Sequence, residues 1–297
     1  MSERISLVIV PVDGSSTAAA ATRHAAMLAR LLQAPLQLLH VMPLNPPELS
    51  DLPANRRADA DRDRSLRLKA AASAFESARQ VIEPPLDPTP EEVILEDENF
   101  VRHPARTIVE HVRRHEGCLV VVGARHLSDM GKFVEGSVSN EVVHRAPCPV
   151  TVVHDEAAPE DVQRIRRILL PVDGSRHSDQ AAAVAGDLAR SADAMVELLF
   201  CRPAGKPPRQ GDEEMDEAER IFSRARHVVG MVPAGIVELV LAGDRYAEAI
   251  VQQANRHQDY PVIIMGRRGL GTWQEKLMGS VSHRVIDLAS CPVTVVV

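Results

Sequence analysis

Aromatic side chains are scarce: they make up 3% of the 297 residues, with one Trp, two Tyr and five Phe. A surface built to stack bases needs more of them. The apolar load falls instead on alanine and valine, which suits helices packed closely on sheets. Basic charge is not in excess either. The formal net charge is −7, whereas nonspecific nucleic-acid binding requires clustered positive charge. The arginine runs QRIRRILLPV and NRRADADRDRSLRLK read as solvated faces or linker. Cys118, Cys148, Cys201 and Cys291 form no CxxC pair and no zinc spacing, so they read as buried thiols in a reducing compartment. No apolar run approaches the roughly 20 residues of a membrane span. The start MSERISLVIVPVDGS lacks a signal peptide's basic stretch and small-residue cleavage site. The expectation is a cytoplasmic protein whose partners include neither nucleic acid nor membrane.

What is present is a sequence written twice. VIVPVDGS (8–15) recurs as ILLPVDGS (168–175), an offset of 160 residues. VEGSVSNEVVHRAPCPVTVV (134–153) recurs as LMGSVSHRVIDLASCPVTVV (277–296), offset 143, with 12 of 20 positions identical. A chain of this length predicts two domains, and the repeat sets them at 1–155 and 165–297 with a linker at 156–164. From Asp13 to Gly123 is 110 residues and from Asp173 to Gly266 is 93, so the first copy carries 17 more. Much of that excess is expected in the Pro-rich, charged stretch PLNPPELSDLPANRRADADRDRS.

Each half alternates short β-branched runs with helical stripes. LVIVPV is too short for a helix and reads as a buried strand. After DGS, Ala21, Ala25, Leu28 and Leu32 share one helical face, matched by Ala181, Ala185, Leu188 and Ala192. The serines before each helix are placed to cap it. Second strands follow at LQLLHV and VELLFC, helices at about 64–82 and 213–229, and third strands at EVILE and VELVLA. Helices at about 104–115 and 245–257, strands CLVVVG and PVIIMG, a helix from Gly-Ser-Val-Ser and a last strand CPVTVV complete each half. Strands apolar on both faces belong in a parallel sheet covered by helices. The predicted fold class is α/β: two repeated, open, five-stranded, Rossmann-like parallel sheets of strand order 3-2-1-4-5.

In that order strands 1 and 4 are neighbours where the strand order reverses, the place where open α/β sheets bind ligands. Asp173 leaves strand 1 of the second half and Gly266 leaves strand 4, so two motifs distant in sequence converge. A carboxylate there can accept from a ribose hydroxyl or an adenine amine. Glycines let backbone N–H groups approach phosphate. The helix opened by Gly279, Ser280, Val281 and Ser282 presents its positive end, with serine hydroxyls and Arg267 and Arg268 as further donors. The alternative is that DGS is merely a turn and cap. Spacing excludes a P-loop, and G-x-G-x-x-G is absent after strand 1.

PVDGS together with Gly266-x-x-Gly269, nine residues, then Gly279-Ser280 resembles the universal stress protein family, in a tandem two-domain form covering nearly the whole chain. The resemblance implies an ATP-binding stress-response or signalling protein, with AMP or ADP as alternatives and magnesium as a companion. It implies adenine and ribose contacts at Val172, Asp173, Cys201 and Met265, with phosphates along Gly266, Arg268, Gly269, Gly279, Ser280, Val281 and Ser282. Members of the family pair through their last strands. The two CPVTVV strands are therefore expected to meet as an internal pseudo-dimer, residues 149–153 against 292–296, with a homodimer and an unnamed protein partner beyond it. That pairing also covers an apolar edge.

The first copy departs from the pattern. Asp13, Val41, Gly123, Arg125, Gly136 and Ser137 occupy the matching positions, but His126 stands where Gly269 stands. A Cβ at a left-handed position costs about 1–2 kcal/mol, and the imidazole intrudes on phosphate. A weakened, altered or absent site is expected there. No metal ligand set is assigned: His111 and His115 lack an H-E-x-x-H pattern, and Glu91, Glu92, Glu96, Asp97 and Glu98 read as a solvated strand end. No catalytic base or triad can be named, so the reading is a binding protein rather than an enzyme. Slow ATP hydrolysis or autophosphorylation is implied only by likeness. The alternative function is an interaction module of the same fold that holds no nucleotide.

Overall fold

Ten short, β-branched strands and eight helices alternate along the chain among the described residues. The computed structural model describes residues 4–43, 54–97, 104–124, 138–154, 164–203, 213–268 and 278–297. In the first half the order is β1 (Leu7–Pro11), α1 (Ser16–Leu32), β2 (Leu36–Pro43), α2 (Ala54–Gln80), β3 (Glu91–Asp97), α3 (Pro104–Val112), β4 (Cys118–Ala124), α4 (Val138–Arg145) and β5 (Val150–His154). The second half repeats it as β6 (Arg167–Pro171), α5 (Arg176–Ala192), β7 (Met195–Arg202), α6 (Glu213–Val229), β8 (Ile236–Ala242), α7 (Tyr246–Ala254), β9 (Val262–Gly266), α8 (Ser280–Leu288) and β10 (Val293–Val296). The expected linker, 156–164, lies outside the described residues except for its last position.

The strands form one sheet of order β3-β2-β1-β4-β5-β10-β9-β6-β7-β8. Each half therefore has the order 3-2-1-4-5, with every pair inside it parallel. Only β5 and β10 run antiparallel, pairing Val150 with Val295, Thr151 with Thr294 and Val152 with Val293. Thr151 and Thr294 are the same position in the two copies, 143 residues apart, so the pseudo-twofold axis passes between them. Their hydroxyls meet at 2.8 Å in a buried setting.

Two apolar layers sandwich this sheet. Against one face pack α1, α2, α5 and α6 through small residues such as Ala21, Ala25, Ala181 and Ala185, all fully buried. Against the other pack α3, α4, α7 and α8, through Ile108, Val142, Ile250 and Val285. Both caps form as the sequence anticipates: Ser15 Oγ accepts from the Ala18 N–H and Ser175 Oγ from the Ser178 N–H. The helix after β2 starts at Ala54, earlier than the periodicity indicates. It runs 27 residues against 17 for its counterpart α6. Its polar first turns carry no apolar stripe for periodicity to detect, yet after Pro53 nothing in ANRRADADRDRS breaks a helix.

The halves also touch beside the sheet. His24 of α1 is buried, with its Nδ1 3.1 Å from the hydroxyl of Tyr260 in the other half. Burial lowers this imidazole from 6.5 to about 3. Unfolding restores the ordinary value, so the unfolded chain takes up a proton first as pH falls. The stability of the neutral ring is complete above 6.5 and drains away as pH drops toward 3. The midpoint of thermal unfolding should fall through this window, and His24→Gln should flatten part of the slope. A second expectation concerns the threonine pair. Thr294→Val should cost about 1–3 kcal/mol by leaving the Thr151 hydroxyl buried without its partner. Adding Thr151→Val should recover most of that loss in urea unfolding.

Candidate functional site

At the carboxyl ends of β6 and β9 the sheet order reverses and opens a cleft of about 430 Å³. On one side the β6–α5 connection makes a tight turn. Gly174 sits at φ +76°, a region open to glycine. Asp173 Oδ1 accepts from the Ser175 N–H at 2.9 Å, and Ser175 caps α5. The turn-and-cap reading of DGS is therefore correct as far as it goes, and it also fixes the Asp173 carboxyl at the mouth of the cleft.

On the opposite side α8 begins. Gly279 occupies its N-cap with no side chain capping the helix. Gly279, Ser280, Val281 and Ser282 all line the cleft, so the positive end of α8 faces Asp173. The remaining expected residues, Val172, Cys201, Met265, Gly266 and Arg268, line the same cleft. Gly269 and Trp273 lie outside the described residues. Burial pushes the Cys201 thiol up to about 11, so it faces the cleft as a neutral group. His177, on the first turn of α5, is held below its usual value by burial and by Arg268, Arg267 and Arg176.

The two described motif glycines have different causes. A Cβ on Gly266 would stand 2.8 Å from the backbone of His177, and one on Gly123 only 2.2 Å from the Thr17 carbonyl oxygen. Helix α1 or α5 rests directly on the end of the fourth strand, so this glycine is a packing requirement in both halves. Gly279 is under no such pressure. Its φ is −65°, and a Cβ there would meet Arg267 O at 3.4 Å, an ordinary contact.

Two donors assigned to the cleft do other work. Ser282 Oγ donates to the Gly266 carbonyl at 2.9 Å, tying α8 to the end of β9, and Ser139 does the same to Gly123 in the first half. Arg267 turns away across the axis and donates to the His144 and Ala146 carbonyls at 3.3 and 3.1 Å, closing the C-terminal end of α4. Sequence reasoning also missed Phe200, Tyr246 and Ile250. Tyr246 and Ile250 are four apart on α7, a helix that starts at the ligand end of the sheet. That spacing was the available signal.

The first half has a matching cleft of about 250 Å³, lined by Asp13, Val41, Gly123 and Ser139 among others. Asp13 Oδ1 accepts from the Ser15 N–H and hydroxyl at 2.9 and 2.6 Å. Arg125, His126, Gly136 and Ser137 lie outside the described residues. The described residues nevertheless differ between the halves. His40 occupies the position of Phe200, and its Nδ1 is 2.8 Å from the Val12 carbonyl, to which it donates. Pro104 replaces Tyr246.

Other candidate chemistry resolves into structure. The His111 and His115 rings lie 4.6 Å apart, tilted by 44°, with His111 Nε2 held by Gln37 and His115 Nδ1 on the His111 carbonyl. Glu91 accepts from Gln37, Glu92 pairs with Arg79 and Glu96 with Arg64. Among the described residues no group of three or more His, Cys, Asp or Glu is placed to hold a metal ion. No described helix is long and apolar enough to cross a membrane.

The architecture is a pair of open, doubly wound α/β domains, each with a ligand-type cleft at its switch point. The model of the Universal stress protein family matches residues 5–154 and 164–297, and the chain belongs to that family. A universal stress protein of Mycolicibacterium smegmatis is 31% identical over 296 residues, spanning 97% of this chain and 96% of its own length. Universal stress protein Rv2623 of Mycobacterium tuberculosis is 28% identical over 303 residues, spanning 97% and 95%. The crystal structure of a universal stress protein from Archaeoglobus fulgidus shares the fold, with a TM-score of 0.69 at 20% identity over 98% of this chain and 97% of its own.

The glycine contrast yields a stability test. Gly266→Ala should lower unfolding stability by about 1–3 kcal/mol through overpacking. Gly279→Ala should cost less than about 1 kcal/mol, the scale of an N-cap change. Denaturant titration of the two variants separates the packing glycine from the other.

Proposed function

We propose that this chain binds one adenine nucleotide, ATP foremost, in the cleft of its second half and acts in stress response or signalling rather than in substrate turnover. The observation that carries the choice of half is the contrast between His40 and Phe200. By family likeness the base is expected against main chain at the ends of the first and fourth strands, at Val172 and Met265. In the first half the equivalent carbonyl, that of Val12, already accepts from His40. In the second half the position of His40 holds Phe200, a side chain that donates no hydrogen bond and offers an apolar edge to a base.

The rest of the cleft suits the remainder of a nucleotide. Asp173 can accept from ribose hydroxyls. The amino end of α8, at Gly279 and Ser280, and the Arg268 guanidinium favour phosphate. ADP and AMP engage the same groups with fewer phosphates. A magnesium ion would be held chiefly by phosphate oxygens and water. The chain's own part is to bind and orient, and bound nucleotide would alter a surface that a protein partner reads. The first half, with a smaller cleft and an occupied carbonyl, favours the second reading, an interaction module without nucleotide, for that half alone.

Isothermal titration of the purified protein with ATP, after mass spectrometric assay for retained nucleotide, tests the proposal. One site per chain is expected. Phe200→His should weaken binding about tenfold or more, roughly 1.4 kcal/mol, while His40→Phe should leave the second-half affinity unchanged. Two equivalent sites would contradict the asymmetry. No binding at all would favour the interaction module, and steady turnover would favour an enzyme.

A further inference from the structure

Cys118 opens β4, and Cys148 lies just before β5. These two strands pair in parallel with Val120 opposite Val150. Each cysteine stands two residues ahead of its paired valine, so the two are neighbours on one face of the sheet. The two thiols interact closely enough for each to shift the acidity of the other. Cys118 is buried, with its sulfur also 3.8 Å from the Val112 carbonyl, while Cys148 is partly open to solvent. Both line a cleft of about 620 Å³ between the halves, on which Arg113, His115 and Arg176 also border. Glu116 and Asp179 border it too, but Arg224 binds Asp179 at 3.0 Å. The cleft is roomy, and its arginines suit a small molecule carrying carboxylates.

We propose that Cys118 and Cys148 are an oxidisable dithiol that undergoes thiol–disulfide exchange with a low-molecular-weight disulfide entering this cleft. Two further features support it. The S–H that Cys148 donates holds the Cys118 thiol below its usual value, and the same contact with burial pushes Cys148 up. The two thiols therefore titrate as a pair, Cys118 as the more acidic member. The Arg267 guanidinium, anchored on the Ala146 carbonyl, places positive charge near Cys148, a setting that favours thiolate. The second copy is an internal contrast. Cys291 matches Cys148, but Pro261 stands in the place of Cys118. Burial pushes the Cys291 thiol up to about 12.

The exchange balances in two steps. Cys148, the partly open thiol, passes its proton to the Cys118 sulfur as it attacks one sulfur of the incoming disulfide. A mixed disulfide forms and one thiolate is expelled, which takes that proton from Cys118. The Cys118 thiolate then attacks the Cys148 sulfur and expels the second. The protein's two thiols become one disulfide, the oxidant is reduced to two thiols, and the two protein protons end on them.

Incubating the folded 297-residue chain with glutathione disulfide, alkylating the remaining thiols and mapping unreduced peptides tests the proposal. The expected product is a chain lighter by two hydrogens, with one Cys118–Cys148 cross-link and with Cys201 and Cys291 alkylated. Cys118→Ser should instead trap glutathione on Cys148. The wild-type map decides the matter even if that variant does not fold. Four alkylated thiols, a stable glutathione adduct on wild-type Cys148, or cross-links through Cys201 or Cys291 would overturn the proposal.

Discussion

The antiparallel pairing of β5 with β10 is the contact on which the rest of the molecule depends. Each half ends in an apolar strand that, alone, would present an open row of N–H and C=O groups. Joined at Val150–Val295, Thr151–Thr294 and Val152–Val293, these edges disappear into the centre of a ten-stranded sheet. The repeat places identical residues on the axis, and the buried threonine hydroxyls satisfy one another there. Because the halves are antiparallel, their ligand ends point in opposite directions along the sheet. The base of the first half then lies beside the end of the second, where Arg267 reaches the end of α4 and Cys148 lies close by.

Duplication gave the chain two clefts on one plan, and substitution made them different. The shared parts are structural: the Asp–Ser turn, the glycine under the first helix, and the serine that ties the fourth helix to the fourth strand. These persist in both halves because the fold requires them. The parts that differ, His40 against Phe200 and Pro104 against Tyr246, line the two clefts. The first half thus keeps the plan of the cleft while one of its main-chain acceptors is taken by His40.

Much of this was legible in the sequence, for physical reasons. Buried strands are short and β-branched, and helices facing a sheet carry alanine stripes. A twofold repeat also implies a symmetric contact somewhere. Periodicity gives the face on which a residue lies, but not the backbone atom its side chain meets. Arg267 and Arg268 look equivalent on paper, yet one crosses the axis and the other borders the cleft. Gly266 and Gly279 both read as phosphate glycines, and only the close approach of His177 reveals that the first is there for packing. Cys118 and Cys148 are 30 residues apart and become neighbours only through strand register. The early start of α2 was hidden because its first turns are polar and carry no apolar stripe.

The central claim is that one cleft, in the second half, carries the nucleotide. Its most direct test is diffraction from crystals of the full chain grown with excess ATP. The account predicts nucleotide density between Asp173 and the amino end of α8, and none beside Asp13. Equal density in both clefts, or density only in the first, would contradict it.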